Sequence, residues 1–399
     1  MFTNLYNIIQ TPLFNILFLV AVAWSIAIFL ERFKIPIIIG ELIAGIIIGP
    51  AVLNIIRPSP EIDLLASLGM FFLMFHAGLE SNPRYLRKTL KSSVWIGLNG
   101  ILFPFILGMM ITVFFGGTLI QAVLIGAAIS GTSMVTKSRI LSDLKLMKSR
   151  LGYNMMGAAI FDNIAIFLII SVVIKTVQQG TFTLADGFLT VLEGLLFFGV
   201  TLTVGYLLFP KVSKYFTTRR GKGFTFALLM GFLFAIFAES IRLPFILGAY
   251  IAGLFVREEI MSASLFQKMH DRFLAISHGF LGPIFIMSIA LKVNLAVIVK
   301  EFWFVLALFL VAFLGKLLGV YVGGMLSNNP EKESLIMGLG MNGRGEIELI
   351  IALIGLQLGI ITQNHLSILV MVAFATTLVA PIILNYLKNG VRFEPIEED

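Results

Sequence analysis

The chain has no cysteine, which excludes a disulfide framework, a thiolate metal site and a cysteine nucleophile. Charge is also scarce. Asp, Glu, Lys and Arg make up 13% of the residues, where a water-soluble domain carries roughly a quarter, so water is not the main solvent. The formal charge is +7. The basic residues sit in short loops between apolar segments, with no basic tail or aromatic-interleaved patch, so nucleic acid is not an expected partner. The chain has no phosphate-binding glycine loop with its lysine, no GxGxxG after a strand and no His-Glu-x-x-His, so nothing suggests ATP drive or intramembrane proteolysis. Neither an enzyme nor a resident cofactor is expected. The first basic residue is Arg32, so the apolar stretch from Thr11 lacks the positive flank of a cleavable leader and reads as a retained first span.

What is abundant is apolar sequence: 58% of residues are hydrophobic and the mean hydropathy is +0.98. A membrane-crossing helix needs about 20 predominantly apolar residues. Thirteen runs approach that: Thr11–Leu30, Pro36–Ile55, Ile62–Glu80, Ser92–Phe115, Leu119–Ile140, Leu151–Ile174, Gly187–Phe209, Gly223–Glu239, Leu243–Val256, Leu274–Leu291, Phe302–Leu326, Ser334–Leu358 and His365–Leu387. An all-α polytopic protein in a lipid bilayer is expected. With thirteen crossings, 22 of the 29 basic residues fall on one side, Lys137 and Arg139 among them, and Arg57, Lys175, Arg242, Lys292 and Lys300 on the other. That bias places the N-terminus outside and the C-terminus in the cytoplasm, in a cell (inner) membrane.

The chain contains a repeat. Ala27-Ile-Phe-Leu-Glu-Arg-Phe-Lys-Ile-Pro36, followed by Ile-Ile-Ile-Gly-Glu-Leu-Ile-Ala-Gly45, returns as Ala235-Ile-Phe-Ala-Glu-Ser-Ile-Arg-Leu-Pro244, followed by Phe-Ile-Leu-Gly-Ala-Tyr-Ile-Ala-Gly253, at a constant offset of 208 residues. The two copies run in opposite directions across the membrane in the topology above. An inverted-topology repeat is a common construction of secondary transporters. It divides the chain into a first half over 1–180, a connector helix over 181–215, a second half over 216–388 and a short tail over 389–399.

In such folds the binding site lies where interrupted helices from both halves meet. The fifth span is interrupted by Ser130-Gly-Thr-Ser133, and its counterpart, the twelfth, by Met341-Asn-Gly-Arg-Gly-Glu346. Ionisable residues at bilayer depth are expensive and therefore candidates for function. Asp162 sits near the centre of the sixth span with Asn163 beside it. Burial favours the neutral acid and a neighbouring cation favours the carboxylate, so a carboxyl group held between the two can exchange a proton for a metal cation. Thr132, Ser133 and Asn163 are candidate oxygen donors, with Asp162 as the carboxylate of the transported monovalent cation. Lys316, deep in the eleventh span, is the natural counter-charge. Arg344, Glu346 and Glu348 are expected to form a network at the second interruption. His76 and His278 read as packed side chains or as pH sensors, Glu41 and Glu239 as near-interfacial groups, and Glu193 as structural.

These segments together resemble bacterial monovalent cation/proton antiporters of the second cation/proton antiporter family, of the NapA and Kef types. The resemblance covers nearly the whole chain: Gly40-Glu-Leu-Ile-Ala-Gly-Ile-Ile-Ile-Gly-Pro50, Phe75-His-Ala-Gly-Leu-Glu80, Gly131-Thr-Ser133, Gly315-Lys-Leu-Leu-Gly319 and Gly340-Met-Asn-Gly-Arg-Gly-Glu346. It implies crossed broken helices, a homodimer with a dimerisation domain and a mobile core domain, an elevator-like cycle, and exchange of Na+ or K+ for protons. The family's sixth-span pair usually ends in the ion-binding aspartate, whereas here it reads Asp162-Asn163. Either Asp162 has taken over ion binding or the site has lost ordinary sodium affinity. The alternative function is a transporter-derived cation channel, or an ion or ligand sensor, without obligatory proton exchange. No fused nucleotide-binding regulatory domain is expected, because the chain ends soon after the thirteenth run.

Overall fold

The computed structural model describes residues 11–32, 36–81, 88–143, 146–147, 149–180, 183–213, 222–256 and 263–387. The tail over 389–399 lies outside them. So do Lys34, Arg84, Arg87, Lys145, Lys148, Lys214, Arg219, Arg220, Arg257, Lys388 and Arg392, which entered the charge-bias argument. Every described element is a helix. In chain order, α1 is Pro12–Glu31, α2 Ile37–Ile48, α3 Pro60–Glu80, α4 Leu90–Phe114, α5 Leu119–Ser130 and α6 Met134–Asp143. Then follow α7 Arg150–Gln179, α8 Leu184–Ser213, α9 Lys222–Ser240, α10 Phe245–Phe255, α11 Ala263–Ile276 and, after a π-helical turn over Ser277–Leu281, α12 Gly282–Ala290. The last are α13 Ala296–Lys300, α14 Phe302–Leu326, α15 Glu331–Gly340, α16 Glu346–Gln357 and α17 Gln363–Leu387.

Among the described residues, nine segments are long and apolar enough to cross a membrane, so the expected count of thirteen is not confirmed. The second and ninth runs form helices of 12 and 11 residues, too short to span a bilayer at 1.5 Å per residue. Each starts directly after a proline, Pro36 or Pro244, held in extended backbone. The twelfth run is split between α15 and α16. The seventh lies within α8, a helix of 30 residues. Large apolar side chains such as Trp24, Phe114 and Trp303 stand exposed, as expected of a surface facing lipid rather than water.

The chain divides into two compact units, one formed by Met1–Glu80 with Phe182–Val293 and the other by Ser81–Thr181 with Asn294–Asp399. Each draws on both halves of the sequence repeat. Within the first unit, the repeat shows in the packing. Gly40 of α2 faces Ile26 and Leu30 of α1, and Gly248 of α10 faces Phe234 of α9, the position 208 residues after Ile26. At the far ends of the same helices, Gly45 lies against Met287 and Ala290 of α12, while Gly253 lies against Phe75 and Gly78 of α3. The short helix of each half therefore packs on the third span of the other half.

In the second unit, α14 lies directly on α4. Gly319 and Gly323, one turn apart, let the backbones touch: a Cβ on Gly319 would collide with the Asn99 carbonyl and one on Gly323 with the Trp95 carbonyl. Close approach through small residues is how helices associate where lipid supplies no hydrophobic drive. Helix α4 also packs on α7. A Cβ at Gly97 would stand 3.2 Å from Asp162 Oδ1, and one at Gly100 3.5 Å from Lys316 Nζ. The glycine contacts thus draw α14 and α7 together across α4, with Lys316 and Asp162 on the facing sides.

Gly319→Ala should lower the thermal unfolding midpoint of the detergent-solubilised protein, because overpacking a tight contact costs about 1–3 kcal/mol. Gly199→Ala is the control, since a Cβ there meets nothing within 4 Å and alanine is the better helix former. Equal midpoints for the two variants would show that the α4–α14 contact is not tight.

Candidate functional site

The second unit contains two interruptions that meet. Helix α5 stops at Ser130, residues 131–133 are not helical and α6 begins at Met134. Helix α15 stops at Gly340 and α16 begins at Glu346, with Gly345 in extended backbone. The Ser133 amide donates to the Gly343 carbonyl at 3.0 Å, tying one break to the other. Ser133 also serves as the N-cap of α6: its Oγ accepts from the Thr136 amide at 3.2 Å, as capping side chains do for the orphan donors of a helix start.

Asp162, on α7, is fully buried beside this junction. Its Oδ2 accepts from Lys316 Nζ at 2.8 Å and from Thr132 Oγ1 at 3.2 Å. Lys316 is fully buried too, and its Nζ also donates to the Ser130 carbonyl at 3.1 Å. That carbonyl is within reach because α5 ends there, leaving its last carbonyls without helical partners. The structure therefore places the predicted counter-charge on the predicted carboxylate. Asp162 Oδ1 has no hydrogen-bond partner among the described residues, and neither does either side-chain atom of Asn163, which is equally buried. These are the oxygens free to meet a hard monovalent cation, with the Thr132 hydroxyl as a third candidate.

The other predicted residues divide differently from the expected single network. Glu346 accepts from Ser133 Oγ at 3.0 and 3.2 Å, so Ser133 binds across the junction rather than toward Asp162. Glu348 pairs with Arg344 at 3.5 Å, one helical turn apart and both fully buried. Arg344 reaches back to α5, donating to the carbonyls of Ile129 and Gly131, and to the Ala312 carbonyl of α14 at 2.9 Å. Two cations, Arg344 and Lys316, thus cap the negative end of α5, while Glu346 and Glu348 occupy the first turn of α16. Both placements match the helix dipole. His76, His278 and Glu41 belong to the first unit and take no part in this site, and Glu239 is exposed.

Sequence reasoning missed one residue. The charge pattern predicts a loop cation at Lys137, yet it is fully buried and its Nζ donates to Thr132 Oγ1. Thr132 therefore links Lys137 to Asp162, accepting from one and donating to the other. The available signal was position: Lys137 lies one turn into the helix that restarts after the break.

Comparison with known proteins places the chain in a family. Residues 16–388 match the family model described as sodium/hydrogen exchanger, transmembrane. The chain is 32% identical over 353 residues to the Na(+)/H(+)-K(+) antiporter GerN of Bacillus cereus, covering 88% of this chain and 89% of that one. It is 30% identical to an Na(+)/H(+) antiporter of Enterococcus hirae, covering 94% and 98%. Among solved structures, the sodium proton antiporter MjNhaP1 of Methanocaldococcus jannaschii superposes with a TM-score of 0.72 at 18% identity over 92% of this chain and 94% of that one, which shows a shared fold. This multi-pass membrane protein belongs to the transmembrane sodium/hydrogen exchanger family.

Proposed function

We propose that the protein is a secondary active antiporter that exchanges Na+ or K+ for protons by alternating access, with the Asp162 carboxylate as the group that proton and cation share. The observation that carries this reading is the buried Asp162 held on one oxygen by Lys316 and Thr132 while its other oxygen accepts no hydrogen bond. A cation arriving at Oδ1 competes with the Lys316 ammonium for the same negative charge. Lys316 does not lose every partner when that happens, because the Ser130 carbonyl remains. A proton on the carboxyl group cancels the charge that holds the cation, so the two loads exclude each other. Asn163 and Thr132 supply neutral oxygens, and Lys137 tunes Asp162 through Thr132. Ser133, Glu346, Arg344 and Glu348 hold the two broken helices in register. Protons and Na+ or K+ are cargo, and the reading needs no resident cofactor.

The reading extends to the whole chain. The inverted halves over 1–180 and 216–388, joined by the connector over 181–215, supply the pseudo-symmetry that alternating access uses. On this reading the protein works in a cell membrane as a homodimer, N-terminus outside and C-terminus cytoplasmic.

Asp162→Asn should reduce Na+- or K+-driven proton flux in proteoliposomes to the level of empty liposomes. Because the change leaves Lys316 buried without its counter-charge, the thermal midpoint is measured alongside. A folded variant that retained full exchange would sink the mechanism. Cation flux through the native protein with no accompanying proton movement would favour the channel reading instead. Asn163→Asp should change cation preference or the charge moved per cycle under a clamped membrane potential, and an unchanged profile would mean that residue 163 acts only through packing. Arg344→Ala should destabilise by about 3–5 kcal/mol, the usual cost of breaking a buried pair. Arg344→Lys should not restore stability, since an ammonium lacks the planar fork that reaches carbonyls of both α5 and α14. Recovery by lysine would mean that charge alone suffices.

A further inference from the structure

The first unit contains a second cluster of chemically capable side chains, which cation exchange does not use. His76 and Glu80 stand four residues apart on α3, hence on one face of the helix. His270 of α11 meets them: one ligand-capable atom from each of the three side chains lies within 4.8 Å of the others. His76 is fully buried, and neither of its ring nitrogens has a hydrogen-bond partner among the described residues. A buried imidazole ordinarily finds such a partner, so something else is expected to satisfy it. His270 Nδ1 also has no hydrogen bond and lies 3.7 Å from the Asp271 carboxylate. His278 closes the surroundings. Its ring packs edge-on to His76 with centroids 4.7 Å apart, and its Nδ1 is held by Ser277 Oγ at 2.9 Å. Both belong to the π-helical turn over Ser277–Leu281, a distortion frequent at functional sites.

We propose that His76, Glu80 and His270 form a site for a transition-metal dication of the zinc class. Two imidazoles and a carboxylate are a recurrent three-ligand zinc set that leaves a fourth position for water or another donor. The set does not suit the cargo of the second unit, because Na+ and K+ are hard cations and this site is dominated by imidazole nitrogen, which selects Zn2+, Co2+, Ni2+ or Cu2+. Donor atoms around a tetrahedral zinc lie about 3.3 Å apart, so the side chains need only small rotations to close on an ion. Ser277 fixes His278, whose ring packs against that of His76 and closes one side of the site. A bound ion would fasten α3 to α11 within the first unit.

The test uses the full-length protein in detergent, purified without a polyhistidine tag, stripped with EDTA and dialysed. Titration calorimetry with Zn2+ should give one ion per chain. Co2+ should give the visible ligand-field bands of a four-coordinate site, and Zn2+ should raise the thermal midpoint with concentration, as any ligand of the native state does. His76→Ala and His270→Ala should each weaken binding at least about tenfold, the scale on which even outer partners of a metal site act, while His365→Ala should not. No saturable Zn2+ binding by the native protein, only six-coordinate Co2+ bands, or undiminished one-to-one binding in the His76→Ala/His270→Ala double variant would overturn the proposal. If the variants fail to fold, the native stoichiometry, Co2+ spectrum and midpoint shift decide it.

Discussion

A carboxylate and an ammonium group, both withdrawn from solvent, set the conditions that the rest of the second unit meets. Removing two charges from water costs several kcal/mol per ion even after relaxation, and mutual attraction offsets this only when geometry is good and the remaining valences are satisfied. Asp162 and Lys316 are 2.8 Å apart, but one contact does not satisfy an ammonium with three protons. The Ser130 carbonyl takes a second proton of Lys316, and in an unbroken helix that carbonyl would already be engaged. The Thr132 hydroxyl shares the load on Asp162 from a stretch where the backbone is no longer helical. The interruption of α5 is therefore what makes a membrane-depth ion pair tolerable, and the glycine contacts of α14 on α4 bring the lysine to it.

Breaking a helix inside a membrane creates its own difficulty, because each new end exposes unsatisfied backbone groups where no water can serve them. The fold answers with charge. Arg344 and Lys316 cover the carbonyl end of α5. The acids of α16 stand at its amide end, Ser133 caps α6 and the Asn342 side chain returns to the Gly338 carbonyl at the end of α15. Each break lends residues to the other: Arg344 comes from the second to the first, while Ser133 goes from the first to Glu346 of the second. The two halves of the sequence thus complete one another at this point, and neither interruption is satisfied by its own segment alone.

How far this was legible in the sequence follows from how many partners each residue could have had. Asp162 and Lys316 each stood in a long apolar run with few opposite charges at comparable depth, so their pairing could be read directly. The interruptions at 130–133 and 341–346 were legible because glycines and polar residues broke otherwise apolar runs at the same ordinal place in each half. The division of Arg344, Glu346 and Glu348 was not, since three charges within five residues look like one local network until the crossing helix is known. Lys137 was hidden by company: with Arg139 two residues on, it looked like part of a solvated loop, and only the restart of α6 carries it inward. The second run reads as a full span and the ninth, already short, is counted on the strength of the repeat, because hydropathy does not register that a proline fixes where a helix begins, nor where its far end must stop.

Asn163 sharpens what the mechanism has to accomplish. With Lys316 charged and Asp162 ionised, the pair is neutral, and a monovalent cation bound at Oδ1 leaves one uncompensated positive charge in a low-dielectric interior. A second carboxylate at position 163 would cancel that charge, but an amide offers only a dipole. Lys137 reaches the site through Thr132, and Glu346 accepts from Ser133 across the junction. The proton-loaded site, with Asp162 neutral and Lys316 charged, carries that same single positive charge, so on the proposed mechanism cation and proton are alternative loads of the one Asp162 carboxyl group. On that reading the amide at position 163 leaves the exchange to a single carboxyl group, Asp162, where cation and proton compete for the same few ångströms of space.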